Sequence, residues 1–98
     1  MIKIYKQSRA EEDLVNIWLY SFETHGERQA DKYYDELANG INLLANSPNL
    51  GIACDEIKIG YRRFKIKHHI IYYKITPSIL TIIRVLHESM EPTKYFSD

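Results

Sequence analysis

The spacing of apolar residues changes once along this chain, from a helical pattern before Pro48 to an extended pattern after it. Before that point, apolar residues recur at steps of three and four, which is the period of an amphipathic helix. After it, they alternate with charged residues or form runs that are apolar on both faces, as β-strands do. Helices followed by strands predict an α+β fold, with a helical layer on one face of a sheet.

Two helices are predicted before Pro48. Their apolar positions are Ala10, Leu14, Ile17 and Trp18 in the first helix, and Ala30, Tyr34, Leu37, Ile41 and Leu44 in the second. Ser8 to Glu11 and Thr24 to Glu27 both match the capping box, so we expect a side-chain cap at the start of each helix. The short connection around Gly26 predicts an antiparallel helix hairpin.

Strands are predicted at both ends of the helix hairpin. Ile2 to Tyr5 suggest an opening strand, and Phe64 and Ile66 alternate with basic residues as in a strand with one buried face. Residues 70–75 and 79–86 are apolar on both faces and flank a turn with the sequence Thr76-Pro77-Ser78. We therefore expect an N-terminal strand and an antiparallel two-helix hairpin packed on a mainly antiparallel sheet of three or four strands.

Length and composition limit the class of protein. At 98 residues, the chain is expected to form a single domain spanning residues 1–98. Hydrophobic residues make up 45% of it, with only four Gly and three Pro, which excludes bulk disorder and fibrous repeats. One cysteine, Cys54, excludes an internal disulfide and a Cys-rich zinc site. The sequence shows no apolar stretch long enough for a leader or a membrane span, so we expect a cytoplasmic protein without a membrane partner.

The charge of the chain is zero overall but unevenly distributed. Residues 1–56 hold ten acidic and five basic residues, whereas residues 57–87 hold seven basic and no acidic residues. Strand alternation would place Arg63, Lys65 and Lys67 on one face, roughly 7 Å apart, close to the spacing of phosphates. We take Arg62, Arg63, Lys65 and Lys67 as target-binding candidates, for nucleic acid or for an acidic protein. The alternative is a solvated face whose charges pair with the acidic helices.

Few residues suggest catalysis. His68 and His69 would point to opposite faces of a strand and cannot readily ligate one metal together, so we expect no metal site. We also expect no cofactor. His87 precedes Glu88 at a strand end, which gives Lys65, Lys67, His87 and Tyr95 as a weak acid/base alternative. Arg84 interrupts an apolar strand, and an unpaired charge there would be unfavourable, so it is expected to meet a carboxylate or carbonyl groups.

The motifs in order resemble those of the ParE toxins of bacterial ParDE toxin-antitoxin systems, within the RelE/ParE superfamily. The most specific are GYRRF at 60–64, H-I-x-Y-Y at 69–73 and RVLH at 84–87. The others are Ala10 to Leu14, Gly26, Gln29-Ala30, Tyr33 or Tyr34, Leu44-Ala45, Ser47-Pro48, Gly51 and Asp55-Glu56-Ile57. The fold of that family agrees with the layout predicted from the residues.

The resemblance implies a toxin that inhibits DNA gyrase and blocks replication. Its implied partners are a ParD-like antitoxin, in a toxin-antitoxin hetero-oligomer, and gyrase, either alone or in complex with DNA. Two alternatives remain. One is a ribosome-dependent mRNA endonuclease similar to RelE, and the other is a non-toxic binding module of the same fold. This chain has His68-His69 where such nucleases carry an arginine, and a missing transition-state charge favours a non-enzymatic inhibitor.

Overall fold

The computed structural model of the protein describes residues 2–96. Its elements in chain order are β1 (Lys3–Lys6), α1 (Ser8–His25), α2 (Glu27–Asn46), a 3₁₀ turn (Pro48–Leu50), β2 (Ile52–Ala53), β3 (Tyr61–Ile66), β4 (His69–Ile75), β5 (Ile79–His87) and a second 3₁₀ turn (Pro92–Lys94). This order confirms the predicted N-terminal strand, helix hairpin and C-terminal strands. No helix within residues 2–96 is long and apolar enough to cross a membrane.

The sheet has five strands in the order β1-β5-β4-β3-β2. The α+β class is confirmed, but the expected three or four strands undercount the sheet. The additional strand, β2, has only two residues, which is too short to show an alternating pattern in sequence. Three of the four strand pairs are antiparallel, whereas β1 runs parallel to β5.

The helices begin without the two predicted capping boxes. Gln7 is the N-cap of α1 without a side-chain cap, and its carbonyl accepts the Glu11 N–H at 3.1 Å. Thr24 lies inside α1, where its hydroxyl donates to the Tyr20 carbonyl at 2.7 Å. Gly26 alone separates the helices, with φ of 90°, a conformation that side chains with a Cβ rarely adopt. The change of chain direction between α1 and α2 therefore depends on the backbone conformation of Gly26 rather than on side-chain caps.

The larger core lies between the helix hairpin and one face of the sheet, here called the helix side. Its buried residues are Ala10, Leu14, Leu37, Ile41, Leu44, Ile71, Tyr73, Leu80, Ile82 and Val85. Phe64 and Ile66 of β3 pack against this cluster. A Cβ at Gly40 would collide with the Ile66 side chain, so the glycine lets α2 approach β3 closely.

The opposite face of the sheet, here called the outer face, has a smaller buried cluster. Cys54, Tyr72 and Leu86 form it, with Ile57 and Phe96 packed against it. Ile57 belongs to the 54–60 loop between β2 and β3, and Phe96 follows the second 3₁₀ turn. A loop and the residues after the second 3₁₀ turn thus cover part of the outer face, and Arg63 and Lys65 remain exposed on it.

Candidate binding surfaces on the two sides of the sheet

The predicted basic strip is only partly a strand feature. Because Phe64 and Ile66 pack on the helix side, Arg63 and Lys65 project from the outer face of β3, where both are exposed. Lys67 lies beyond the end of β3, in the turn before β4, with φ of 52°. The prediction that three basic side chains line one strand face is therefore wrong for Lys67, because the strand ends before it.

Two lysines of the strip are engaged by carboxylates. Lys65 Nζ lies 2.7 Å from Glu88 Oε1, and Lys67 Nζ lies 2.9 Å from Glu36 Oε2 of α2. Hydrogen bonds from Lys65 and then His68 lower the pKa of Glu88. The hydrogen bond to Glu36 raises the pKa of Lys67. Both cations thus carry a counter-charge, and the one on Lys67 comes from a helix whereas the one on Lys65 comes from the residue after β5.

Arg62 points inward and holds the segment before β2. Its guanidinium donates to the carbonyls of Asn49 at 3.1 Å and Gly51 at 2.5 Å. Its Nε is buried without a hydrogen-bond partner within residues 2–96. Among those residues, no carboxylate lies within ion-pair distance of Arg63. Of the four target-binding candidates, Arg63 is therefore the one exposed on the outer face without a counter-charge in the described chain.

The alternative acid/base set is not assembled. His87 and Tyr95 both line a groove between α1 and β5, whereas Lys65 lies on the outer face and Lys67 is paired with α2. The Ser89 N–H donates to His87 Nδ1 at 3.1 Å, and the Ser89 hydroxyl lies 2.7 Å from the same nitrogen. His87 is thus held by a local turn, without a lysine beside it.

Three imidazoles converge at the β3–β4 turn. His68 and His69 were expected on opposite faces of a strand, but His68 lies in the turn, and both rings approach His87, with centroids 6.5 and 5.2 Å from it. Within residues 2–96, no group of His, Cys, Asp or Glu side chains is arranged to hold a metal ion.

The environment of His69 favours its neutral form. Burial first, and then the neighbouring His87 and His68, lower the pKa of His69 to about 4. Tyr33 Oη lies 2.5 Å from His69 Nδ1 and accepts the His68 N–H at 3.3 Å. Burial raises the pKa of Tyr33, so the phenol keeps its proton near neutral pH, and its hydroxyl shares a hydrogen bond with the neutral imidazole. The cluster joins α2 to the sheet, and the His69 side chain is uncharged near neutral pH.

A groove of about 780 Å³ lies between α1 and the C-terminal half of β5. Its apolar floor includes Ile17, Val85 and Leu86, and its rim includes Tyr20, His25, Gln29, Tyr33 and Met90. It exists because β1 pairs only with Ile79–Ile82 of β5, which leaves the second half of that strand without a neighbour on this side. Sequence patterns indicated both strands but not this register.

Asp13 closes the unpaired edge of β5. Its carboxylate accepts Arg84 Nε at 2.8 Å, Arg84 Nη2 at 2.9 Å and the Val85 N–H at 2.9 Å. The prediction that Arg84 meets a carboxylate or carbonyl groups is confirmed, and Asp13 provides the carboxylate. Because the side chain takes a backbone donor that an added strand would use, it protects this edge from strand addition.

A stripe of apolar residues runs along the outside of α1. This helix stripe consists of Val15, Trp18, Leu19 and Phe22, at the spacing of one helix face. Val15, Leu19 and Phe22 are 56%, 44% and 45% exposed. Trp18 was expected in the core, but it is half-buried, stacks on Phe22 at 5.2 Å and donates to Asp31 at 2.9 Å. The helix therefore has a second apolar face, which the stronger core pattern obscured.

Comparisons with known proteins agree over most of the chain. A family model described as "ParE toxin of type II toxin-antitoxin system, parDE" matches residues 5–92. "Toxin ParE1" of Caulobacter vibrioides is 39% identical over 90 residues, covering 91% of this chain and 93% of that protein. "Toxin ParE1" of Mycobacterium tuberculosis is 36% identical over 83 residues, covering 84% and 85%.

One solved structure extends the comparison to the fold. A chain from "Chromosomal ParDE TA system from P. aeruginosa" superposes with a TM-score of 0.79, covering 89% of this chain and 96% of that chain. At 17% sequence identity, this likeness concerns the fold alone.

Proposed function

The chain belongs to the ParE toxin family of type II toxin-antitoxin systems, and from this membership we propose that it inhibits DNA gyrase and blocks replication. The observation that carries the proposal is the family match across residues 5–92, which includes both helices and most of the sheet. Inhibition of a cytoplasmic enzyme places the proposed site of action in the cytoplasm.

We propose that inhibition occurs by binding rather than by chemistry on a substrate. Acid/base catalysis needs its groups within hydrogen-bond reach of one reacting atom. Here, Lys65 and Lys67 are bound to carboxylates, and His87 is held by Ser89 on the helix side. This arrangement favours an inhibitor over the RelE-like endonuclease.

The test uses two purified systems in parallel. The toxin is added to gyrase with relaxed plasmid, and separately to ribosomes translating a defined mRNA. The proposal expects loss of supercoiling with intact transcripts. Transcripts cut at the ribosomal A site, with supercoiling unaffected, would establish the endonuclease instead.

We also propose that a ParD-like antitoxin neutralises the toxin from its helix side, in a hetero-oligomer. The helix stripe offers an exposed apolar row of the kind that a partner helix covers. Exposed acidic residues occur on both helices, namely Glu11, Glu12, Glu23, Glu27 and Asp35. An antitoxin segment that fits this surface has an apolar face flanked by lysine or arginine.

We expect an antitoxin strand to pair with β1. β1 is an edge strand, and its residues alternate between exposed and half-buried. The unpaired half of β5 is less accessible, because Asp13 already binds the Val85 N–H.

Hydrogen exchange with and without antitoxin tests this arrangement. Added antitoxin should slow exchange in α1 and at the outer edge of β1, while the amides of β3 change little. Unchanged exchange throughout α1 and β1 in a formed complex would overturn it.

A further inference from the structure

The hairpin formed by β2 and β3 exposes two isoleucines, and one of them lies opposite an arginine. Ile59, in the loop between the strands, is 86% exposed, and Ile52 of β2 is 64% exposed. Ile52 is directly opposite Arg63 in the antiparallel register, so both side chains project from the outer face. We call Ile52, Ile59 and Arg63 the hairpin patch.

The loop that carries Ile59 is well organised. Cys54 N–H bonds to the Tyr61 carbonyl at 2.9 Å, and Tyr61 N–H bonds to the Lys58 carbonyl at 3.0 Å. The Gly60 N–H bonds to Asp55 Oδ1 at 2.9 Å. Ile57, two residues before Ile59, packs in the outer-face core. Ile59 is thus held in solvent by a bonded loop, and its exposure is a property of the fold.

The chemistry of the patch distinguishes a protein partner from a nucleic acid. Tracking a phosphate backbone requires several unpaired cations, but Lys65 and Lys67 are paired with Glu88 and Glu36. Single-stranded nucleic acids are bound by stacking of the bases on aromatic side chains, which the hairpin patch does not contain. Exposed isoleucines on the same hairpin as an exposed arginine are instead typical of a protein interface, where apolar contacts accompany a charged anchor.

We propose that the hairpin patch is the surface by which this toxin binds its target, and that the occupant is a protein surface with an apolar pocket beside a carboxylate. The carboxylate pairs with Arg63, and the pocket receives Ile59. This inference rests on the proposed function in naming gyrase protein, rather than gyrase-bound DNA, as the target.

The first experiment compares Ile59→Asp with Leu43→Asp. Leu43, on α2, is 48% exposed and provides a matched loss of surface apolar area away from the patch. Each variant is expressed without antitoxin, with its abundance and melting temperature measured, and is then added to gyrase. Ile59→Asp should weaken both growth arrest and gyrase inhibition at least tenfold, while Leu43→Asp stays within twofold of the unaltered chain.

The second experiment measures toxin binding to gyrase without DNA at 50 and 200 mM salt. A single ion pair with a protein carboxylate is only screened by salt and predicts a small loss of affinity over this range, whereas three phosphate contacts predict a loss of about 40-fold. Binding that requires DNA, with the larger loss, would assign the contact to nucleic acid and overturn the inference.

The outcomes separate this inference from the proposed function. A folded Ile59→Asp variant that remains as toxic as the unaltered chain overturns the inference, whatever the target. An unaltered chain that arrests growth but leaves supercoiling intact overturns gyrase as the target, and loss of arrest in Ile59→Asp alone then still supports the hairpin patch. An unaltered chain without either activity overturns both.

Discussion

The helix side and the outer face of the sheet differ in how completely they are covered. Two helices cover the helix side, where Leu37, Leu44 and Ile71 are fully buried. On the outer face, a loop and a chain end cover a cluster of three buried residues, and Arg63 and Lys65 remain exposed. The difference indicates that stability comes mainly from the helix side, which leaves the β2–β3 hairpin free to present side chains for binding.

The largest expected effect is on stability, from truncation in the helix-side core. Leu37→Ala should lower the free energy of unfolding by about 3 kcal/mol, because it leaves a cavity under α2. Cys54→Ala, in the outer-face cluster, removes a single sulfur atom and should lower it by about 1 kcal/mol. Denaturant unfolding of both variants measures the two losses of unfolding free energy. Equal losses would contradict a core concentrated on the helix side.

The next largest effect concerns the closed edge of β5. Asp13→Ala should lower the free energy of unfolding by about 2 kcal/mol, because it leaves Arg84 without its carboxylate in a site where both side chains are largely buried. Glu12→Ala, at the neighbouring exposed position, is the control and should change it little. If the two variants melt alike, the Asp13–Arg84 pair does not stabilise the edge.

These two sites also show what sequence reasoning could and could not reach. Periodicity was sufficient for the helix hairpin, because each helix spans several turns, and two apolar runs flanking a turn were sufficient for β4 and β5. It could not pair Asp13 with Arg84, which lies 71 positions away. Nor could it end β3 before Lys67, since the residues continue to alternate past the last paired position. The groove depends on the register of β1 against β5, for which the sequence has no local signal.

Low pH should lower the free energy of unfolding through the protonation of His69. Its pKa of about 4 in the folded chain is below the usual 6.5, so the unfolded chain takes up a proton first as the pH falls. The free energy of unfolding should therefore be constant above about pH 7 and decrease between about pH 6.5 and 4. His69→Gln should flatten this decrease, and His25→Gln, at an exposed position, should not. An NMR titration of His69 with a midpoint near 6.5 would contradict this account.

The smallest expected effect is on the exposed ion pairs. Lys67→Ala breaks the contact with Glu36 at the surface, where solvent screens the charges, so the melting temperature should not change measurably. Arg63→Ala should behave in the same way, because no carboxylate in the described chain depends on it. A clear loss of stability in the Arg63 variant would mean that the outer face contributes more to folding than its small core indicates.

The central claim is that the two sides of the sheet bind different partners, and a paired measurement on two variants tests it most directly. Antitoxin affinity and gyrase inhibition are both measured for Leu19→Asp in the helix stripe and for Ile59→Asp in the hairpin patch. We predict that Leu19→Asp still inhibits gyrase but loses antitoxin affinity, and that Ile59→Asp binds antitoxin normally but fails to inhibit. A folded variant that loses both activities together would contradict the separation of the two surfaces.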